Sequence, residues 1–190
     1  MATIFSTCKK HFGCAENVYS FQIGIKAYPD KDSIRIGDTI WIEINTPTQL
    51  KDIQSGRIIN YSEAENLGSG ISLAELIEKD SIKDAANDFS YILKKGISVD
   101  NPLINKVREF VFVEENNAFL FKIGVVPKKR GIYKMFVSNA ANVYRKNDKC
   151  TKASFEINFE NTNQHLYFNK IVLPYYNLPQ GGGVYLFKVN

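Results

Sequence analysis

Clean alternation of apolar and polar residues, turn chemistry between the alternating runs, and an aromatic-rich hairpin predict an all-β chain folded as an antiparallel two-sheet sandwich. The length of 190 residues suits one such domain with its own core. The expected division is a polar lead over residues 1–16 and a single sandwich over 17–190. With 44% hydrophobic residues, 13 Phe and 10 Tyr, the chain is too rich in core-forming side chains to stay disordered.

The first strand is expected over Val18 to Ala27, where Phe21, Ile23, Ile25 and Ala27 share one face and Ser20, Gln22, Gly24 and Lys26 the other. Tyr28-Pro29-Asp30-Lys31-Asp32 supplies a turn. Ser33 to Ile36 and Thr39 to Ile44 then read as one strand broken by Gly37-Asp38. Ile40, Ile42 and Ile44 point one way and Trp41 the other, where either solvent or an insertion meets it. From Thr46 to Asp88 the alternation weakens. Ser72-Leu73-Ala74-Glu75 has the form of a capping box, so a short helix running to about Glu78 is expected inside an irregular insertion.

Strand character returns at Phe89 to Leu93. The strongest hairpin signal follows, with Phe110 to Val113 and Phe119 to Val126 flanking the polar Glu114-Glu115-Asn116-Asn117. Further strands are expected over Lys134 to Val137, Ala153 to Phe159, Leu166 to Leu173 and Val184 to Val189, the last pair joined through Gly181-Gly182-Gly183. Those glycines precede no helix and no Lys-Ser/Thr pair, so they read as a connection rather than a phosphate loop.

The run Pro127-Lys128-Lys129-Arg130-Gly131-Ile132-Tyr133 entering a strand resembles the corner of immunoglobulin-like domains, in which a tyrosine hydroxyl reaches back to the upstream backbone and fixes a Greek-key crossover. The resemblance implies an immunoglobulin-like Greek-key sandwich and gives the corner role to Tyr133. Met135 stands where antibody domains carry a cysteine, so their inter-sheet disulfide is not expected.

Over its whole length the chain also resembles uncharacterised lipoproteins of Bacteroidota-type bacteria, through the stretches 28–34, 138–145 and 147–155. That likeness implies export and a lipid anchor at the outer membrane, in the periplasm or at the cell surface. It brings no activity and no site residues with it.

Cysteine use fits this compartment. Ile4-Phe5-Ser6-Thr7 before Cys8 has the apolar-then-small pattern that ends a lipoprotein signal, although only seven residues precede the cysteine. The fragment is equally compatible with an ordinary cysteine in a loose terminus. Three cysteines leave one odd, and lipidation of Cys8 accounts for it if Cys14 and Cys150 form a disulfide.

Chemistry is sparse. Cys8, Cys14 and Cys150 show no CxxC or Cys/His ligand spacing, and Asp30, Asp32 and Asp38 miss the calcium-loop pattern, so no metal and no cofactor are expected. His11 and His165 both sit in polar surroundings without a visible nucleophile partner, so no catalytic residue is expected and the chain reads as a non-enzyme. The net charge of +4 is spread along the chain, and Lys128-Lys129-Arg130 lies in a turn, which argues against nucleic acid. No segment approaches the roughly 20 apolar residues of a membrane helix, so contact with membrane is expected through the lipid alone. The sequence thus suggests an exported, lipid-anchored, non-catalytic binding or assembly module whose partner is a protein or glycan of the envelope. The alternative is a carbohydrate-binding domain using aromatics near the C-terminus, of which Tyr175 and Tyr176 beside Pro174 fit a regular buried strand least.

Overall fold

The computed structural model describes residues 17–78, 81–99, 106–160 and 183–190, and these build a β-sandwich. In chain order the strands are β1 (Asn17–Tyr28), β2 (Ser33–Ile34), β3 (Ile40–Pro47), β4 (Gln49–Lys51), β5 (Ile58–Asn60), β6 (Gly68–Glu78), β7 (Ser81–Asp84) and β8 (Phe89–Lys95). They continue with β9 (Ile97–Val99), β10 (Val107–Val111), β11 (Val113–Glu115), β12 (Ala118–Pro127), β13 (Gly131–Val137), β14 (Ala140–Arg145), β15 (Asp148–Phe159) and β16 (Val184–Val189). One sheet runs β11-β12-β3-β1-β15-β14 with β8 also on β12, and the other runs β2-β16-β13-β6-β10-β9 with β7 also on β6. A small ribbon, β4-β5, stands apart.

Alternation decides what the sheets bury. Phe21, Ile23, Ile25 and Ala27 of β1, Ile40, Ile42 and Ile44 of β3, and Ala153, Phe155, Ile157 and Phe159 of β15 all face the core. The opposite sheet meets them with Ile71, Leu73, Tyr133, Met135, Tyr185 and Phe187. Ring contacts across the gap join the sheets, with Phe110 5.4 Å from Phe121, Phe89 4.9 Å from Tyr133, and Phe159 5.6 Å from Tyr185. Each edge or tilted pair contributes about 0.5–1.5 kcal/mol beyond the area it buries.

Four details differ from the expectations. The sandwich is not wholly antiparallel: β1 runs parallel to β15 from Asn17↔Thr151 to Ile25↔Phe159, and β2 runs parallel to β16. Neither pair is a hairpin, so turn geometry does not force opposite directions. Second, the expected helix at Ser72–Glu78 is a strand, β6, central in its sheet between β13 and β10. Pairing on both sides and burial of Ile71, Leu73 and Leu76 outweigh the local capping signal. Helical backbone among the described residues is one 3₁₀ turn, Ala86–Asp88. Third, the weakly patterned stretch from Thr46 to Asp88 supplies β4 to β7 rather than a plain insertion.

The fourth is the hairpin. Val113–Glu115 pairs with Ala118–Leu120 around Asn116-Asn117, both at positive φ (50° and 59°), the conformation of a two-residue type I′ turn. Phe110, however, belongs to the other sheet, because the chain changes sheets at Phe112. The break at Gly37-Asp38 has the same effect: β2 lies in one sheet and β3 in the other, with Gly37 at φ +86°.

Candidate functional site

Cys8, His11, Cys14, His165, Tyr175, Tyr176 and the expected strand over Leu166 to Leu173 lie outside the described residues. Of the singled-out positions that are described, Tyr133 is fully buried on β13, and its hydroxyl donates to the carbonyls of Lys129 and Arg130, each at 3.3 Å. Burial pushes that hydroxyl up to about 12. The basic cluster beside it is structural: Lys129 pairs with the buried Asp88, and the Lys128 amide donates to the Asp88 carbonyl at 2.9 Å. Asp38 accepts the Arg35 amide at 2.8 Å and closes its turn. Cys150 lies half-buried in β15.

A more concentrated arrangement lies on the outer face of the first sheet, where β15, β1, β3 and β12 run side by side. Period-two geometry sends Tyr28 and Lys26 of β1, Trp41, Glu43 and Asn45 of β3, and Lys122 of β12 to that face. Register then groups them. Glu43 sits between Lys26 and Lys122, and Trp41 between Tyr28 and Gly124. Tyr28 donates its hydroxyl to Glu43 Oε2 at 2.7 Å, and Lys122 Nζ reaches the same oxygen at 3.2 Å. The ammonium also lies 5.4 Å from the Tyr28 ring centre and 5.7 Å from that of Trp41, a double cation–π contact.

The electrostatics follow from these bonds. The Tyr28 hydrogen bond, followed by the bond and charge of Lys122, holds the Glu43 carboxyl below its ordinary value. Burial and the same carboxylate push the Tyr28 hydroxyl up. Hydrogen bonding to Tyr28 and Glu43 raises Lys122. Glu43 therefore stays ionised at neutral pH, a hydrogen-bond acceptor rather than a proton donor.

Beside this cluster runs a polar trough. One depression of about 210 Å³ is lined by Gly24, Lys26, Glu43, Asn45 and Glu160. A neighbouring one of about 390 Å³ shares Gly24 and Glu160 and adds Gln22 and Asn158. Two glycines keep this face low. A Cβ on Gly24 would fall 1.8 Å from Glu160 Oε1, so the glutamate side chain lies where that carbon would stand. A Cβ on Gly124 would meet the six-membered ring of Trp41 at 3.1 Å. The sequence puts Trp41 on the off-core side and names no partner for it, because bringing the side chain of residue 122 over residue 41 needs a register that only the folded sheet supplies. Among the described residues no group of three or more His, Cys, Asp or Glu side chains is placed to hold a metal ion, and no helix is long and apolar enough to cross a membrane.

Comparison with known proteins gives distant likeness only. No family model matches the chain, and no curated protein matches it. Among solved structures, the reeler domain of human F-spondin is similar over 96% of this chain and 100% of its own, at 6% identity and a TM-score of 0.43. A type I cohesin–dockerin complex from Clostridium thermocellum is similar over 70% of this chain and 99% of its own, at 14% identity and a TM-score of 0.24.

Proposed function

We propose that this chain is an exported, non-catalytic binding module of the cell envelope, tethered by lipid on Cys8, that presents the outer face of its first sheet to an envelope protein or glycan. The observation that carries the reading is the outer-face cluster of Tyr28, Trp41, Glu43 and Lys122, which meets the polar trough at Glu43. A sheet interior needs none of this chemistry, and an outward face held by bonded, charge-paired side chains is a preorganised recognition surface. The lowered carboxyl of Glu43 favours binding over general acid catalysis, which needs a raised one.

Compartment enters through the cysteines. Thr151 is the register partner of Asn17, so Cys150 lies beside the start of β1. Cys14 is three residues before Asn17, a stretch of chain that spans at most about 10 Å. That closeness supports a Cys14–Cys150 disulfide, and with a lipidated Cys8 it is the arrangement proposed for an oxidising compartment.

The test immobilises the parent domain and a Trp41→Ala/Lys122→Ala variant of equal melting temperature, and exposes both to solubilised envelope protein and envelope glycan. Material held by the parent and released by the variant is expected. Equal retention on both sets aside this face as the recognition surface. For the anchor, labelling with a clickable fatty acid should depend on Cys8, and label that survives Cys8→Ser overturns it.

A further inference from the structure

We propose that the trough takes a neutral, linear oligosaccharide laid across β15, β1 and β3, an inference that rests on reading this face as a binding surface. Three features of the face select that ligand class.

Charge is the first. Lys26 lies 4.0 Å from Glu160 and Lys122 lies 3.2 Å from Glu43, so every cation bordering the trough has a carboxylate beside it. Such a surface has little net field with which to draw a polyanion or a polycation. What remains is a dense alternation of donors and acceptors. The amides of Asn45 and Gln22 carry both functions, carboxylates accept at two oxygens, and ammonium groups donate. Vicinal hydroxyls, each donor and acceptor at once, match that pattern without bringing charge.

The second feature is the aromatic end. Trp41 rests over Gly124 and is half-exposed, with Tyr28 as its cross-strand partner. Aromatic faces beside polar groups recognise ligands that have one apolar and one wet side, as the C–H face of a sugar ring does. The Lys122 ammonium covers these rings at 5.4 and 5.7 Å, and its long stem lets it swing aside while Glu43 keeps it near.

Shape is the third. The lining residues stand on β15, β1 and β3 and just past the end of β15, and two steps between these neighbouring strands, each about 4.8 Å, give a path of roughly 10 Å. Gly24, in the middle of this path, lets the Glu160 carboxylate lie against the sheet instead of standing over it. The two depressions meet at Gly24 and Glu160 and so run on from one another, the form that suits an extended chain rather than a compact small molecule.

The experiment passes the purified domain over an immobilised β-glucan, a mannan and a xylan, with heparin as the polyanion, and repeats it with Trp41→Ala, Trp41→Phe, Asn45→Ala and a Tyr175→Ala/Tyr176→Ala double variant. Melting curves establish that each variant is folded; Asn45 is exposed, so its truncation tests the site even if the tryptophan variant unfolds. Retention of at least one neutral glycan is expected, weakened tenfold or more by Trp41→Ala and by Asn45→Ala, partly kept by Trp41→Phe, and little changed by salt. Absence of any retained neutral glycan, preference for heparin, or retention lost only in the Tyr175/Tyr176 variant each overturns the inference. An envelope protein held by the parent and lost by Trp41→Ala, with no glycan bound, preserves the binding face and removes the sugar. No ligand of either kind on that face removes both.

Discussion

Two buried tyrosine hydroxyls pin the backbone, one across the chain and one within its own turn, and their geometry ranks them. Tyr61 is fully buried and donates to the Val143 carbonyl at 2.7 Å, whereas Tyr133 shares its proton between two carbonyls at 3.3 Å. Tyr61→Phe should therefore cost more, on the order of 1–2 kcal/mol, and Tyr133→Phe about 1 kcal/mol or less. Urea midpoints of the two variants read this order directly, and a larger loss for Tyr133→Phe contradicts it. The same burial makes stability depend on alkaline pH. Tyr133 is raised from 10.0 to about 12, and burial also raises Tyr61 and Tyr185. A raised folded value means that stability is fully present below about pH 10 and is lost as pH rises towards 12 and beyond. Unfolding midpoints should thus fall steeply above pH 10, and Tyr61→Phe should flatten that fall. Of these two residues, Tyr133 was legible in the sequence from the Pro-x-x-x-Gly-x-Tyr turn before it. Tyr61 was not, because its partner lies 82 residues away.

Elements show where local signals suffice. The β11–β12 turn depends on Asn116 and Asn117, both left-handed, and asparagine and glycine adopt that conformation at least cost. Asn117→Ala should destabilise by about 1 kcal/mol, while Asn117→Gly should be neutral or stabilising; equal midpoints for the two variants argue against the turn type. Strand β6 shows the opposite case. Its Gly68, Ser69, Gly70, Ser72 and Ala74 have weak strand preference, and the Ser-x-x-Glu spacing imitates a helix start. The small residues are there for close approach: a Cβ on Gly68 would fall 2.0 Å from the Phe110 carbonyl oxygen of β10, and one on Gly70 would lie 2.6 Å from a Val107 methyl. What reads as a poor strand is a tightly packed one.

At the scale of the whole molecule, the proposed Cys14–Cys150 bridge would close most of the chain into one loop. In the chain-entropy model such closure contributes up to about 5 kcal/mol, with native strain and residual unfolded structure reducing it. Reductant should lower the melting temperature appreciably, and Cys14→Ser/Cys150→Ser should melt at that lowered temperature without reductant. An unchanged melting curve, or peptide mapping that finds both cysteines alkylated without reduction, removes the bridge and weakens the argument for export. Local patterning is enough for the all-β class, for the core faces of β1, β3 and β15, and for a polar turn within residues 114–117, which the fold narrows to Asn116-Asn117, because side-chain alternation and turn preference are local properties of the chain. The parallel pairing of β1 with β15, the strand identity of β6, and the meeting of Tyr28, Trp41, Glu43 and Lys122 on one face come from the fold. Those features depend on strand order and register between segments far apart in sequence, which are set by the packing of the whole core rather than by any window of residues.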